Sequence, residues 1–260
     1  MADPSHASSI YGGRMAGAYD AGRQLLPEAE DGWAATVQDL VPAGATVVDV
    51  GAGTGRFARL FVERFAARVV AVEPSVRMRS VGSGRRDAGV AWVAGAAERL
   101  PVRGGGADIV WLSCVAHYLD LDAAGRELAR VIGEDRGGRV LVRSTFPDRF
   151  DELEWLGWFP TARAIDDERM PSVEGIERAW APHGLRLEAR LPSSHVIAGD
   201  LHELVDRLEH RAISSLELIS DAEFAAGLAA LRTYADSVPP RPSYSAMDVL
   251  SFTRPWKPSG

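Results

Sequence analysis

Five short apolar runs punctuate the first 145 residues: TVVDV (46–50), RVVAVEP (68–74), VAWVAG (90–95), DIVWLS (108–113) and RVLVRST (139–145). A strand that alternates apolar and polar residues keeps one wet face. A strand that is apolar throughout has none and must be covered on both sides. Helical patterns lie between these runs: Phe57, Leu60, Phe61 and Phe65 recur at i, i+3, i+4 and i+8, and Leu128, Val131 and Ile132 precede a stop at Gly137-Gly138. Strands covered on both faces and joined by right-handed crossovers define a doubly wound, mostly parallel α/β sheet.

A further helical stripe, Trp33, Val37, Leu40 and Val41, is stopped by Pro42 and Gly44. After residue 146 the character changes. Phe150, Trp155, Trp158, Phe159 and Trp180 fall in a stretch without strand alternation, which reads as an aromatic lid inserted over the carboxyl edge of the sheet. SVEGIERAWAPHG (172–184) reads as a helix ending at Gly184, and LRLEARLP (185–192) and YSAMDVLSFT (244–253) as strands six and seven. Two C-terminal helices each open on a capping box, Asp200 with Glu203 and Ser220 with Glu223. One apolar stripe, from Leu201 through Leu208 and Leu216 to Ile219, runs along the first of them. The expected organisation is one domain over 1–260, with a core at 14–145 and inserted elements at 146–182 and 199–237.

Composition narrows the partners. The formal net charge is −7 and no basic stripe is visible, which argues against a nucleic-acid backbone. A single cysteine, Cys114, excludes an intramolecular disulfide and a cysteine-built zinc site, so no metal is expected. The opening MADPSHASSIYGG has neither a basic n-region nor an apolar h-region, and no apolar stretch approaches the ~18 residues that span a bilayer. The expectation is a cytoplasmic protein with no membrane partner.

The strand-one turn, VVDVGAGTGRF (47–57), carries the first functional signal. Glycines at 51, 53 and 55 remove side chains where an open α/β sheet binds its ligands, at the carboxyl ends of the strands. A dinucleotide fingerprint, G-x-G-x-x-G, would place its third glycine at position 56, which here is Arg56. Glu73 stands at the end of strand two, where a carboxylate can accept hydrogen bonds from both ribose hydroxyls and so select a nucleoside.

VVDVGAGTGRF, AVEPSVRM, GAAERLPV, ADIVWLSCVAHYL and GGRVLVRSTF, in that order, resemble the motif series of class I S-adenosylmethionine-dependent methyltransferases, most closely the type 11 small-molecule branch. YDAGR (19–23) resembles the aromatic-Asp-x-x-Arg element ahead of that series. The resemblance covers residues 11–145 well and implies a Rossmann-like, seven-stranded fold using S-adenosylmethionine and releasing S-adenosylhomocysteine. It further implies that Asp49, Gly51 and Gly53 hold the methionine part, that Glu73 binds the ribose, and that Pro74 and Met78 pack near the adenine. The Ala97 backbone would meet a ring nitrogen, Ser113 would line the path to the sulfonium, and Arg23 would pair with the cofactor carboxylate beside Tyr19. Many relatives carry Asp at position 96; here it is Ala96, which leaves adenine recognition to packing and backbone contacts.

For the chemistry, His117 lies just past strand four and is the candidate base or acceptor-orienting group, the alternative being that it only shapes the pocket. Tyr118 reads as a wall of the acceptor site. Arg143, mid-strand among apolar neighbours, must pair with something: an internal carboxylate, or an acidic group on the acceptor. Trp155 and Trp158 either close over the acceptor or fix the insertion to the sheet. Cys114 reads as a small buried filler, and His183, His195, His202 and His210 as surface or cap residues. The expected activity is methyl transfer to a small, largely apolar or aromatic metabolite of secondary metabolism. The alternatives are a non-catalytic binder of the cofactor and an NAD(P)-dependent oxidoreductase, against which Arg56 and the missing Tyr-x-x-x-Lys argue. The C-terminal helices offer a face for a homodimer.

Overall fold

A computed structural model of the chain describes residues 27–133 and 137–255. Seven strands form one sheet in the order β3-β2-β1-β4-β5-β9-β6. They are β1 (Thr46–Val50), β2 (Arg68–Val72), β3 (Val90–Val93), β4 (Ile109–Ser113), β5 (Arg139–Ser144), β6 (Arg186–Ser193) and β9 (Met247–Thr253). β9 alone runs antiparallel, to both β5 and β6. All seven expected strands are present, and strand order reverses between β1 and β4. β7 (Val196–Ala198) and β8 (Ser243–Tyr244) form a separate two-stranded ribbon that the sequence pattern does not announce, because each is too short to carry a period.

Alternate residues of each strand feed two cores. Val48, Val110, Leu112, Val140 and Val142 face α4 (Leu121–Ile132) and α6 (Val173–Trp180). Val47, Val69, Ile109, Trp111 and Leu141 face α1 (Pro27–Val37) and α2 (Arg56–Phe65). α1 ends before the Leu40-Val41 pair expected in it, and Gly133, not Gly137, follows α4. α3 (Val76–Gly84) completes the crossover from β2 to β3, with Ser75 accepting from the Met78 N–H as its N-cap. Trp180 belongs to the sheet layer: its indole N–H donates to the Leu121 carbonyl at 2.9 Å and its ring meets Phe252.

A third core lies over the carboxyl ends of the strands. It joins Phe150, Trp155 and Phe159 to α5 (Pro160–Arg169), α7 (Leu201–Glu209), α8 (Ser214–Leu218) and α9 (Asp221–Ser237). Asp200 and Ser220 cap α7 and α9 as expected. The reciprocal halves of the boxes differ: Glu203 accepts from the Gly199 N–H and Glu223 from the Thr161 N–H. The single stripe expected from Leu201 to Ile219 is divided between α7 and α8, because Arg211 takes a left-handed φ of 48° and turns the chain between them. Asp248 on β9, fully buried, accepts from Arg149 and Arg190, tying the segment after β5 to the sheet. Among the described residues no helix is long and apolar enough to cross a membrane.

Candidate active site

The glycine turn builds the first cavity, of about 120 Å³. Gly51 has φ 69°, and a Cβ there would lie 2.6 Å from Val115 Cγ1, so only glycine leaves this passage open. Gly55 has φ 85° and opens α2; a Cβ on it would meet the Trp92 ring at 2.6 Å. Glu73, 6% exposed, accepts from the Gly53 N–H through Oε2 and the Ser75 N–H through Oε1, both at 2.8 Å. Each carboxylate oxygen therefore keeps a lone-pair site for a ligand. Gly51, Gly53, Glu73, Pro74, Met78, Ala97 and Ser113 all line this cavity, as does Glu98, which the sequence reading passed over within GAAERLPV.

Asp49 is not in the lining. It sits under the turn, 2% exposed, with Ala71 and Trp111 as its register neighbours. Burial, and then the Glu73 carboxylate nearby, push its pKa up to about 7, against the pull of Arg56 and the Ala58 N–H. Burial likewise raises Glu73, against hydrogen bonds from Ser75 and Gly53. Tyr19 and Arg23 lie outside the described residues.

The second cavity, of about 190 Å³, opens between the sheet and the third core. His117, Arg143 and Trp155 line it as expected. Tyr118 does not: its ring lines the first cavity and lies under the Arg169 guanidinium, 5.3 Å away. Trp158 is also displaced from its expected place, packing on Tyr234 with ring centres 5.4 Å apart.

Arg143, 3% exposed, donates to Ser113 Oγ at 2.9 Å and to Cys114 Sγ at 3.4 Å. Its guanidinium carbon lies 4.2 Å from the Trp33 ring centre and 4.9 Å from that of Phe57. These contacts give it a hydroxyl, a thiol and two aromatic faces.

His195 overturns its reading as a surface residue. It is 7% exposed, its Nδ1 lies 2.8 Å from Ser245 Oγ, and its ring meets Trp33 edge-on at 4.9 Å. Burial first, then Arg143, Arg56 and Arg207, push its pKa down to about 4. Nothing in its local sequence, SSHVIAG, signals burial, which arises where β7, β8 and α1 converge. His183 is half-buried beside the exposed Asp122, and His202 is exposed beside Asp236.

Cys114 lines both cavities. It has φ 55°, a left-handed backbone that costs a non-glycine residue of order 1–3 kcal/mol. Its N–H donates to the Arg143 carbonyl at 2.8 Å, which holds the strained turn at the end of β4. The filler role expected for it therefore understates its position, at the junction of the two spaces.

Comparison with known proteins agrees with this architecture. The methyltransferase domain family matches residues 48–142. An uncharacterized methyltransferase of Mycobacterium tuberculosis is 36% identical over 151 residues, 57% of this chain and 58% of that protein. The malonyl-[acyl-carrier protein] O-methyltransferase of Methylococcus capsulatus is 32% identical over 189 residues, 68% of this chain and 66% of that protein. The geranyl diphosphate C-methyltransferase of Streptomyces coelicolor, solved with Mg2+, geranyl diphosphate and S-adenosylhomocysteine, shares the fold at a TM-score of 0.54. It is 19% identical, over 87% of this chain and 79% of that one. The chain is a member of the class I S-adenosylmethionine-dependent methyltransferases. It spans less than two thirds of the length of the mycobacterial relatives it matches.

Proposed function

We propose that the chain transfers a methyl group from S-adenosylmethionine, bound in the first cavity, to a small, largely apolar or aromatic metabolite of secondary metabolism held in the second. One observation carries this reading: two cavities with different walls meet at Cys114, at the carboxyl ends of β1 and β4, where strand order reverses. When bound, S-adenosylmethionine supplies an electrophilic methyl on a sulfonium whose departure leaves a neutral thioether.

The residues then have distinct tasks. Glu73 offers its two spare lone-pair sites to the ribose hydroxyls. Met78 and Pro74 pack the adenine, with the Ala97 backbone at its edge. The open passage at Gly51 and Gly53 admits the methionine part above Asp49, and Ser113 lines the way to the junction. Arg23 and Tyr19 are assigned the cofactor carboxylate. On the acceptor side, Trp155, Phe150 and Leu204 exclude water, and His117 takes or orients the acceptor proton. Catalysis in such a site is largely alignment, which in intramolecular systems supplies about 7–11 kcal/mol.

Calorimetric titration with S-adenosylmethionine, S-adenosylhomocysteine and NADPH tests the reading. Micromolar binding of both sulfur nucleosides with none of NADPH is expected; NADPH binding with silence from the other two would overturn it.

A further inference from the structure

The second cavity gathers cationic side chains beside its apolar wall. Arg56, Arg143 and Arg207 line it with His117 and His195, and Asp166 is the single carboxylate among its described lining residues. Asp166 is itself engaged, accepting from Ser215 Oγ at 2.9 Å. The three guanidinium groups arrive from separate elements: the first residue of α2, the carboxyl end of β5 and the last turn of α7. Their convergence is therefore a property of the tertiary fold and not of a local basic run.

Two details sharpen the pattern. Arg56 opens α2, whose first turn holds no acid, so its charge adds to the partial positive charge of the helix start. His195, beside them, is kept neutral by burial and by the same three arginines. Burial opposes a charge of either sign, but the arginines' share of that shift is a field that favours a negative one. Phe150, Leu153, Trp155 and Leu208 supply the apolar part of the wall.

We propose that the methyl acceptor carries a carboxylate, seated between Arg56, Arg143 and Arg207 beside His195, with its apolar or aromatic body against Phe150 and Trp155. A guanidinium fork matches a carboxylate with paired N–H donors, and burial strengthens such contacts. This assignment rests on reading the second cavity as the acceptor site, but the binding of the anion itself does not require methyl transfer.

The test is calorimetry on the full chain with and without S-adenosylhomocysteine, titrated with benzoate, phenylacetate and cinnamate and with their primary amides. At least one acid is expected to bind, with its amide 30-fold weaker or more. Arg207→Gln, which alters a side chain on α7 that is 20% exposed and lies 3.8 Å from the Glu203 carboxylate, is expected to weaken the acid tenfold or more while S-adenosylhomocysteine binds as before. Amides that match the acids, an affinity unmoved in Arg207→Gln, or no binding by any acid would overturn the proposal. So would phenyl phosphate binding more tightly than every acid, which would make the site one for phosphate. Acids that bind in this pattern while S-adenosylhomocysteine does not bind would sink the methyltransferase reading and leave this one standing.

Discussion

Cys114 separates two spaces whose charge preferences run in opposite directions. On one side, Asp49 and Glu73 are carboxylates whose pKa values are raised, Asp49 to about 7, by burial and, for Asp49, by the neighbouring Glu73. On the other, His195 is depressed to about 4 by burial and by three arginines. Burial, the largest cause on both sides, opposes either charge; beyond it, the Glu73 carboxylate acting on Asp49 favours a cation in the first space, and three arginines acting on His195 favour an anion in the second. A sulfonium donor and a carboxylate acceptor would each meet the field that favours it, and would meet each other at the junction.

The sharpest way to break this contrast is to close one side alone. Gly51→Val places carbon atoms against Val115 in a left-handed backbone, where a side chain costs about 1–2 kcal/mol before any clash. Binding of S-adenosylhomocysteine should fall more than 100-fold by calorimetry, while carboxylates in the second cavity bind within threefold of the parent.

Next in size is pH-dependent stability, where the two sides predict opposite signs. Burial holds the Asp49 pKa at about 7 in the folded chain, against an ordinary value of 3.8 when unfolded. Between those values the folded state holds the extra proton, so this group lowers stability as pH rises, by up to about 4 kcal/mol at 1.36 kcal/mol per unit. His195 has the reverse linkage: the unfolded state holds the extra proton between about 4 and 6.5, so stability is lost as pH falls through that window. Chemical denaturation of the ligand-free protein from pH 4 to 8 should show Asp49→Asn gaining stability at the alkaline end and His195→Gln gaining it at the acidic end. Parallel curves for the two variants would contradict the contrast.

A smaller effect is expected at Glu73. Glu73→Gln removes a charged acceptor, and hydrogen bonds to charged groups contribute about 1.5–3 kcal/mol, so S-adenosylhomocysteine should bind about 10- to 100-fold more weakly. The smallest change separates the two lid tryptophans. Trp155→Leu should alter carboxylate affinity several-fold, whereas Trp158→Leu, packed on Tyr234 away from the cavity, should leave it within twofold.

How legible each side was in the sequence follows from how each is built. The first cavity is made of short turns at strand ends, so its residues lie within a few positions of an apolar run, and seven of those named from the motif series line it. Its exception, Asp49, belongs to the strand and not to the turn. The second cavity gathers side chains from α1, α2, β5, α7 and the β7–β8 ribbon, and no local pattern records which helix faces converge. Arg56 was visible only as an absent glycine, Arg207 as one charge on an amphipathic helix, and His195 as a polar residue after two serines. Periodicity reports which face of an element is buried, and it is silent on what that face meets. Trp155 and Trp158 show the same limit three residues apart.

The most direct test is a coupled titration: affinity of S-adenosylmethionine and of S-adenosylhomocysteine, each measured with and without a saturating benzoate-class acid. The two nucleosides differ only by the methyl group and the positive charge that it places on sulfur. If opposite fields meet at Cys114, the acid should tighten S-adenosylmethionine at least fivefold, a coupling of about 1 kcal/mol, and leave S-adenosylhomocysteine within twofold. An acid that affects both nucleosides equally, or weakens the sulfonium form, would contradict the paired-charge reading of the site.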